Sequence, residues 1–357
     1  MIQDISVLFE LRRPLAVTQK RQQPVSSLAF DALYAVLTLV LAAGIFIDVW
    51  SHSTFGPDQS VLSPYHFLFY SSMGTIGGLL LFTHTNNLRK GYKWSAALPV
   101  GYGFSFFGVI LFTASGMLDL SGHALFGFET GLEAVMSPTH MMLFIGWFIV
   151  ALAPIRAAFA KFKINPAKHL GQQLPMILAL VSALCAVTLA SFYYTPLSVV
   201  SNGVQEMRTL DEDFAQVIEI ASIFIQTGVL MTVIIWVISQ IKLKVGAVAL
   251  LFFLFGVLLA ITTLNPIAII NASLGGILLE IAYQVIQPTR KQVLRFCLFA
   301  FLAPILLWGS YYGFYLISGV GGGLWVTGYV WLGTVFQSGF IGLALAFFAT
   351  SKTESAA

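Results

Sequence analysis

The sequence predicts an all-α polytopic membrane protein, with about ten transmembrane helices in consecutive hairpins and both termini in the cytoplasm. Composition, the length of the apolar runs and the placement of basic residues predict this class. Of the 357 residues, 58% are hydrophobic and 9% are charged, whereas soluble globular chains carry about 25% charged residues. So few charges cannot cover a core of this size in water. The composition excludes a soluble enzyme, a disordered chain and a nucleic-acid binder that relies on a basic face.

Ten apolar runs follow one another along the chain, each near the roughly 20 residues that a bilayer-crossing helix needs. We predict spans at 28–49, 64–84, 96–118, 137–157, 174–195, 216–240, 245–263, 267–287, 294–318 and 324–349. Only a short Thr-Thr-Leu-Asn-Pro break separates runs seven and eight, which leaves a count of nine open. The polar first 27 residues lack the apolar region of a signal peptide, so the first span is expected to act as its own insertion signal.

Lysine and arginine positions predict the orientation of these spans. When the spans alternate in direction, 17 of the 18 basic residues fall on one side and Arg208 alone falls on the other. By the positive-inside rule the basic side is the cytoplasm, so both termini are cytoplasmic. We expect the chain to lie in the cytoplasmic membrane. We divide the chain into a cytoplasmic segment at 1–27, a duplicated half at 28–160, a half without recognised motifs at 161–350, and a cytoplasmic tail at 351–357.

Two outward connections share one motif. The common pattern is D-x-x-x-H-x-x-F-G-x-[DE], then a spacer of variable length, then S-P-x-H. A repeat across two hairpins indicates duplication of a two-helix unit. The pattern supplies two sets of ligand-type residues, Asp48, His52 and His66 in the first connection and Asp119, His123 and His140 in the second.

The spacing of the motif points to metal chemistry. Asp and His four positions apart share one helix face, and Ser-Pro is typical of the start of the next helix. Each hairpin is therefore expected to bring two imidazoles and one carboxylate together near the outer surface, a donor set that suits a transition metal. A lone His near a helix end is usually interfacial, but four of the six histidines occupy matching places here. Asp58, Glu129 and Glu133 are expected to support the ligands rather than bind metal directly.

The Asp-x-x-x-His…Ser-Pro-x-His hairpin resembles the metal-binding region of the C subunit of copper membrane monooxygenases, the particulate methane and ammonia monooxygenases. The matching residues are Asp48, His52 and His66 for one metal site of that family, and His123 and His140 for a second. Asp119 stands where the family usually has Asn. The similarity covers roughly residues 28–160, and spans five to ten carry nothing similar.

The resemblance implies copper as the metal ahead of iron or zinc, and O2 with a small apolar or ammonia-like substrate as reactants. It also implies other monooxygenase subunits as partners, including a cupredoxin-type subunit that supplies electrons. Two other functions stay open: a non-catalytic copper-binding or transport protein, and a bis-histidine haem protein. We expect the lipid bilayer, and no nucleic acid, as a further partner.

In the second half, Glu280 lies inside the eighth predicted span. Ionisable residues in a span are costly and commonly functional. Three roles are open for Glu280: a contact with the membrane interface, an ion pair with a basic residue, and a proton relay. The two structural roles are favoured over the relay.

Overall fold

In a computed structural model, the described part of the chain is all-helical; it comprises residues 23–56, 63–127, 136–191, 196–197, 212–320 and 323–351. Within these ranges there are ten α-helices and no strand. The helices are α1 (Leu28–Phe55), α2 (Pro64–Arg89), α3 (Ser105–Phe126), α4 (Pro138–Ile164), α5 (Leu170–Ala190), α6 (Glu212–Gln240), α7 (Ala247–Thr263), α8 (Ile267–Ile286), α9 (Val293–Ser318) and α10 (Gly328–Ser351). The predicted all-α class and the ten helices are confirmed.

Eight of these helices are long and apolar enough to cross a membrane. The other two are α2, which has 26 residues but is rich in Ser, Thr and Asn, and α7, which is apolar but has only 17 residues. A helix of that length spans about 26 Å, slightly less than the roughly 30 Å of a typical hydrocarbon core. By length and composition the chain is a multi-pass helical membrane protein.

Two helix boundaries are set by local backbone chemistry. Helices α7 and α8 are separate. Between them Leu264 adopts a left-handed φ of 51°, and the Asn265 side chain accepts a hydrogen bond from the Ile267 N–H at 3.0 Å. Helix α3 starts later than the predicted residue 96. Gly101, at φ 95°, lies against the backbone of Ala157, where a Cβ would be 2.6 Å from the Ala157 nitrogen. The chain is held in turns up to that point.

Helix α1 packs against α2, α4, α5 and α7, and α3 packs against both α2 and α4. Helix α5 also contacts α4, α6 and α7, so it connects the two halves of the chain. In the second half, α8 packs against α7 and α9, and α10 packs against α6 and α9. The neighbouring positions of α2 and α3 bring the two hairpins that carry the repeated motif next to each other.

Candidate metal centres

Site 1 consists of Asp48, His52 and His66 and lies where α1 ends and α2 begins. The Asp48 Oδ1 atom is 3.2 Å from His66 Nε2 and 3.9 Å from His52 Nε2. One ligand atom from each of the three residues lies within 4.8 Å of the other two. The Asp48 and His66 side chains are each 12% exposed, whereas that of His52 is 35% exposed. The structure therefore brings the three predicted residues together.

Site 2 consists of Asp119, His123 and His140 and lies where α3 ends and α4 begins. Each carboxylate oxygen of Asp119 contacts one histidine. Asp119 Oδ2 is 3.1 Å from His123 Nε2, and Asp119 Oδ1 is 3.3 Å from His140 Nε2. These ligand atoms also lie within 4.8 Å of one another. The second hairpin thus forms the same arrangement as the first.

The Phe-Gly pair of the motif ends the helix that carries the first histidine. Gly56 and Gly127 both have a φ of 85°, a conformation that side chains disfavour. Each glycine N–H donates to the carbonyl oxygen of the site histidine four residues earlier, His52 or His123, at 3.1 and 3.0 Å. The motif glycine therefore stops the helix one turn after the ligand-type pair.

The Ser-Pro pair of the motif starts the helix that carries the second histidine. The Ser63 hydroxyl accepts a hydrogen bond from the His66 N–H at 3.2 Å, and the Ser137 hydroxyl accepts one from the His140 N–H at 3.4 Å. Proline follows at a first-turn position, where its missing N–H costs nothing. The capped residue is the site histidine itself, so the cap fixes the backbone from which the imidazole projects.

The distances fit a shared metal ion. Ligand atoms about 2.1 Å from one tetrahedral ion lie about 3.4 Å apart. In site 1, Asp48 Oδ1 and His66 Nε2 are separated by 3.2 Å, and in site 2 each Asp119 oxygen lies 3.1 or 3.3 Å from one imidazole nitrogen. In addition, Asp48 Oδ1 is buried and lies 3.2 Å from His66 Nε2 without a well-aligned hydrogen bond. A cation, whether a protonated imidazole or a metal ion, would compensate the charge of this buried oxygen. Both donor sets therefore fit a metal ion, and they do not by themselves select which metal.

The two carboxylates differ in one neighbour. In site 2 the Thr139 hydroxyl donates to Asp119 Oδ1 at 2.6 Å and lies 2.6 Å from the Ser137 hydroxyl. The equivalent residue of the first hairpin is Tyr65. The role of Thr139 was missed in the sequence, because the repeated motif is defined by the residues that both hairpins share.

Tyr70 lies between the two sites. It follows His66 by one helical turn of α2, and a Cβ at Gly116 of α3 would be 3.1 Å from its hydroxyl. Its ring centroid is 6.1 Å from that of His66, and Gly116 precedes Asp119 on α3 by three residues. The two sites are therefore neighbours across the contact of α2 with α3, which could not be predicted from either helix pattern alone.

The other residues singled out in the sequence have different outcomes. Asp58, Glu129 and Glu133 lie outside the described residues. Glu280 is structural: its carboxylate accepts hydrogen bonds from the N–H groups of Gly246 and Val248, both at 2.9 Å, at the start of α7. It therefore caps the positive end of that helix.

Compared with family models, with curated proteins and with solved structures, the chain matches none of them. The fold and the sites alone define its class. By the length and composition of its helices it is a multi-pass helical membrane protein, with two Asp-His-His groups that could hold a metal ion.

Proposed function

We propose that the chain is a copper-binding protein of the cytoplasmic membrane, with one copper ion at site 1 and one at site 2 on the extracytoplasmic side. The observation that supports this most is the duplication of the geometry. Two separate hairpins each bring one carboxylate and two imidazoles within 4.8 Å, using the same helix stop and the same helix start. A chance ion pair would not be expected to recur with its supporting turns.

Copper is proposed on two grounds. Imidazole and carboxylate ligands accept copper, iron and zinc, but among divalent first-row ions Cu²⁺ binds such sites most tightly. The motif also resembles the copper-binding hairpin of the copper membrane monooxygenases. Asp119, in place of that family's usual Asn, adds a negative charge to site 2 and so strengthens cation binding there.

We also propose that the protein is an oxidoreductase component that works with other monooxygenase subunits, including a cupredoxin-type subunit as electron donor. Copper bound at these sites would supply the chemistry that activates O2 for hydroxylation of a small apolar or ammonia-like substrate. The chain itself holds the ligands at a helix end and provides an apolar surface next to them. Phe69 is buried beside His66 at a centroid distance of 5.4 Å, and the buried Phe112 packs on Phe69 at 6.3 Å. Such a surface favours binding of an apolar substrate that arrives through the lipid.

Metal content tests the binding proposal. We expect the gently extracted full chain to contain two copper ions, His52→Ala or His123→Ala to contain one, and the double variant to contain none, by elemental mass spectrometry. His169→Ala is the matched control and should keep both ions, because this exposed histidine belongs to neither site. A metal-free wild-type protein would refute the metal sites, whereas iron or zinc in place of copper would refute only the choice of metal.

Activity tests the oxygenase proposal separately. Copper-loaded protein extracted with its partners should oxidise a small substrate with consumption of O2, and the double histidine variant should not. Copper uptake into vesicles that contain this chain alone, without oxygenase activity, would instead support the transport function and contradict the oxygenase one. A Soret band in the purified protein would support haem.

A further inference from the structure

Glu219 is a second kind of site, in the half of the chain that lacks the repeated motif. It lies on α6, inside the candidate span Gln216–Gln240, and is only 1% exposed. The Tyr312 hydroxyl of α9 donates to Glu219 Oε1 at 3.2 Å. The other carboxylate oxygen, Oε2, is buried and has no hydrogen-bond partner among the described residues. Half of this carboxylate is therefore unsatisfied by the surrounding protein.

Three further polar atoms on α8 and α9 are in the same condition. The Tyr311 and Tyr315 hydroxyls of α9 and the Asn271 side-chain oxygen of α8 are also buried without a hydrogen-bond partner in the described part of the chain. The Tyr311 ring centroid lies 5.2 Å from those of both Tyr312 and Tyr315, so the three phenols are next to one another. Unsatisfied buried polar atoms are uncommon in native proteins, and a cluster of them indicates a bound ligand, water or proton.

No basic residue of the described chain forms an ion pair with Glu219. The neighbouring helices α5 and α10 carry no charged residue at all. The charged residues of α8 and α9, Glu280 and Arg295, lie towards the other ends of those helices from Asn271 and Tyr311. Among the described side chains, Tyr312 donates to Glu219, and Tyr311 and Tyr315 lie beside Tyr312 and Tyr311 respectively. An ionised carboxylate without a counter-charge is strongly disfavoured in such surroundings.

We propose that Glu219 is a proton-binding site within the membrane domain, occupied at neutral pH and able to exchange its proton with water. Protonation removes the uncompensated charge and gives Oε2 a hydrogen to donate. The Tyr311 hydroxyl oxygen is an acceptor for that hydrogen, while Oε1 continues to accept from Tyr312. Ser222 and Thr227 lie further along α6 and are also buried, and their hydroxyls donate to backbone carbonyls of the same helix.

Glu280 provides a matched comparison. It is also a buried glutamate of the second half, but its carboxylate accepts backbone hydrogen bonds at the start of α7. Hydrogen bonds donated to a carboxylate favour its ionised form. The two buried glutamates thus differ in their hydrogen bonding: both carboxylate oxygens of Glu280 accept backbone hydrogen bonds, whereas Oε2 of Glu219 accepts none from a described residue.

Infrared spectroscopy of the full chain in lipid tests this difference. At neutral pH in sodium-free buffer we expect the C=O stretching band of a protonated carboxylic acid. The band should be absent in Glu219→Gln and retained in Glu280→Gln. In D2O the wild-type band should shift, because the proton exchanges with water. A band that does not shift would overturn the exchange part of the proposal.

A second variant keeps the test decisive if Glu219→Gln does not fold. Tyr312→Phe removes the donor to Oε1 but leaves the acid in place, so the band should persist at a higher frequency. An absent acid band in the wild-type protein at neutral pH would overturn the proposal. A band present without sodium and lost on addition of NaCl would overturn it in favour of a sodium site built from the same oxygens.

Discussion

At the residue scale, the two metal sites differ most at the position between the helix-starting proline and the second histidine. Thr139 occupies it in site 2, and its hydroxyl contacts both Asp119 Oδ1 and the Ser137 hydroxyl at 2.6 Å. These contacts orient the Asp119 carboxylate so that its other oxygen, Oδ2, lies towards His123. Tyr65 occupies the position in site 1, where Asp48 Oδ1 lies 3.2 Å from His66 Nε2 without a well-aligned hydrogen bond. The orientation of the carboxylate is therefore better fixed in site 2.

Thr139→Val tests the value of this hydroxyl, because valine keeps the shape and removes the donor. We expect copper affinity at site 2 to fall about 10- to 100-fold, the usual cost of losing a group that orients a metal ligand. Chelator competition in a His52→Ala background, in which only site 2 is intact, measures the effect. Tyr65→Phe in a His123→Ala background is the matched control and should leave the affinity of site 1 unchanged. Unchanged affinity in Thr139→Val would show that the hydroxyl does not orient the ligand.

At the element scale, site 2 depends on the close approach of α3 and α4. Gly108 and Gly146 face each other, and a Cβ at Gly146 would lie 2.8 Å from the Phe112 nitrogen and 2.9 Å from the Gly108 oxygen. Small residues at such crossings let membrane helices pack backbone to backbone. Because Asp119 and His140 sit on these two helices, the crossing sets the distance between them.

Gly146→Leu is therefore expected to separate α3 from α4 and to abolish copper binding at site 2 while site 1 keeps its ion. Elemental analysis of the purified variant should find one copper per chain instead of two. Gly78→Leu on α2 is the control and should retain both ions, since a Cβ at Gly78 meets no atom within 4 Å. Two ions in Gly146→Leu would contradict a role for this crossing.

A buried ion pair connects α1 and α4 at the end of the helices remote from the metal sites. Lys161 donates to Asp31 Oδ2, and the Tyr102 hydroxyl donates to Asp31 Oδ1 at 2.7 Å. Burial and the Asp31 carboxylate raise the pKa of Tyr102 far above its usual value, so the phenol remains a donor. Asp31 lies in the first turn of α1 and Lys161 in the last turn of α4, where the helix dipoles favour these charges.

Lys161→Met should leave Asp31 as an uncompensated buried charge and destabilise the protein by about 3–5 kcal/mol. The double variant Asp31→Asn with Lys161→Met should recover much of that loss, because no isolated charge remains. Thermal unfolding in detergent measures both variants. Lys163→Met, at an exposed position of the same turn, is the control and should unfold like the wild type. Additive losses in the double variant would argue against a direct pair.

At the scale of the whole molecule, the sequence predicted the features that depend on local patterns but not the contacts between residues far apart in the chain. Apolar runs are local, so the ten helices were predicted, and the spacing within each hairpin was enough to predict both Asp-His-His groups. The Tyr312–Glu219 hydrogen bond joins residues 93 positions apart on different helices. No periodicity within α6 or α9 encodes that pairing. Glu280 stands out in the sequence and Glu219 does not. Only the packing of the helices shows that Glu280 caps a helix and that Oε2 of Glu219 has no hydrogen-bond partner among the described residues.

The orientation of the molecule is the remaining prediction at this scale. Sites 1 and 2 lie at the C-terminal end of α1 and α3, and the basic residues that follow α2 and α4 lie at the opposite end. At 1.5 Å per residue the 28 residues of α1 separate the two ends by about 42 Å, enough to cross a membrane. The positive-inside rule therefore predicts that the sites lie outside the cytoplasm.

Cysteine labelling of intact cells tests this orientation. Phe126 is 90% exposed next to site 2, and Lys163 is exposed at the opposite end of the bundle. In a Cys297→Ser background, where the buried Cys185 is the one native cysteine left, Phe126→Cys should react with a membrane-impermeant thiol reagent in intact cells. Lys163→Cys should react only after the membrane is disrupted. The reverse pattern would place the metal sites in the cytoplasm and remove the route by which extracytoplasmic copper or a cupredoxin-type subunit reaches them.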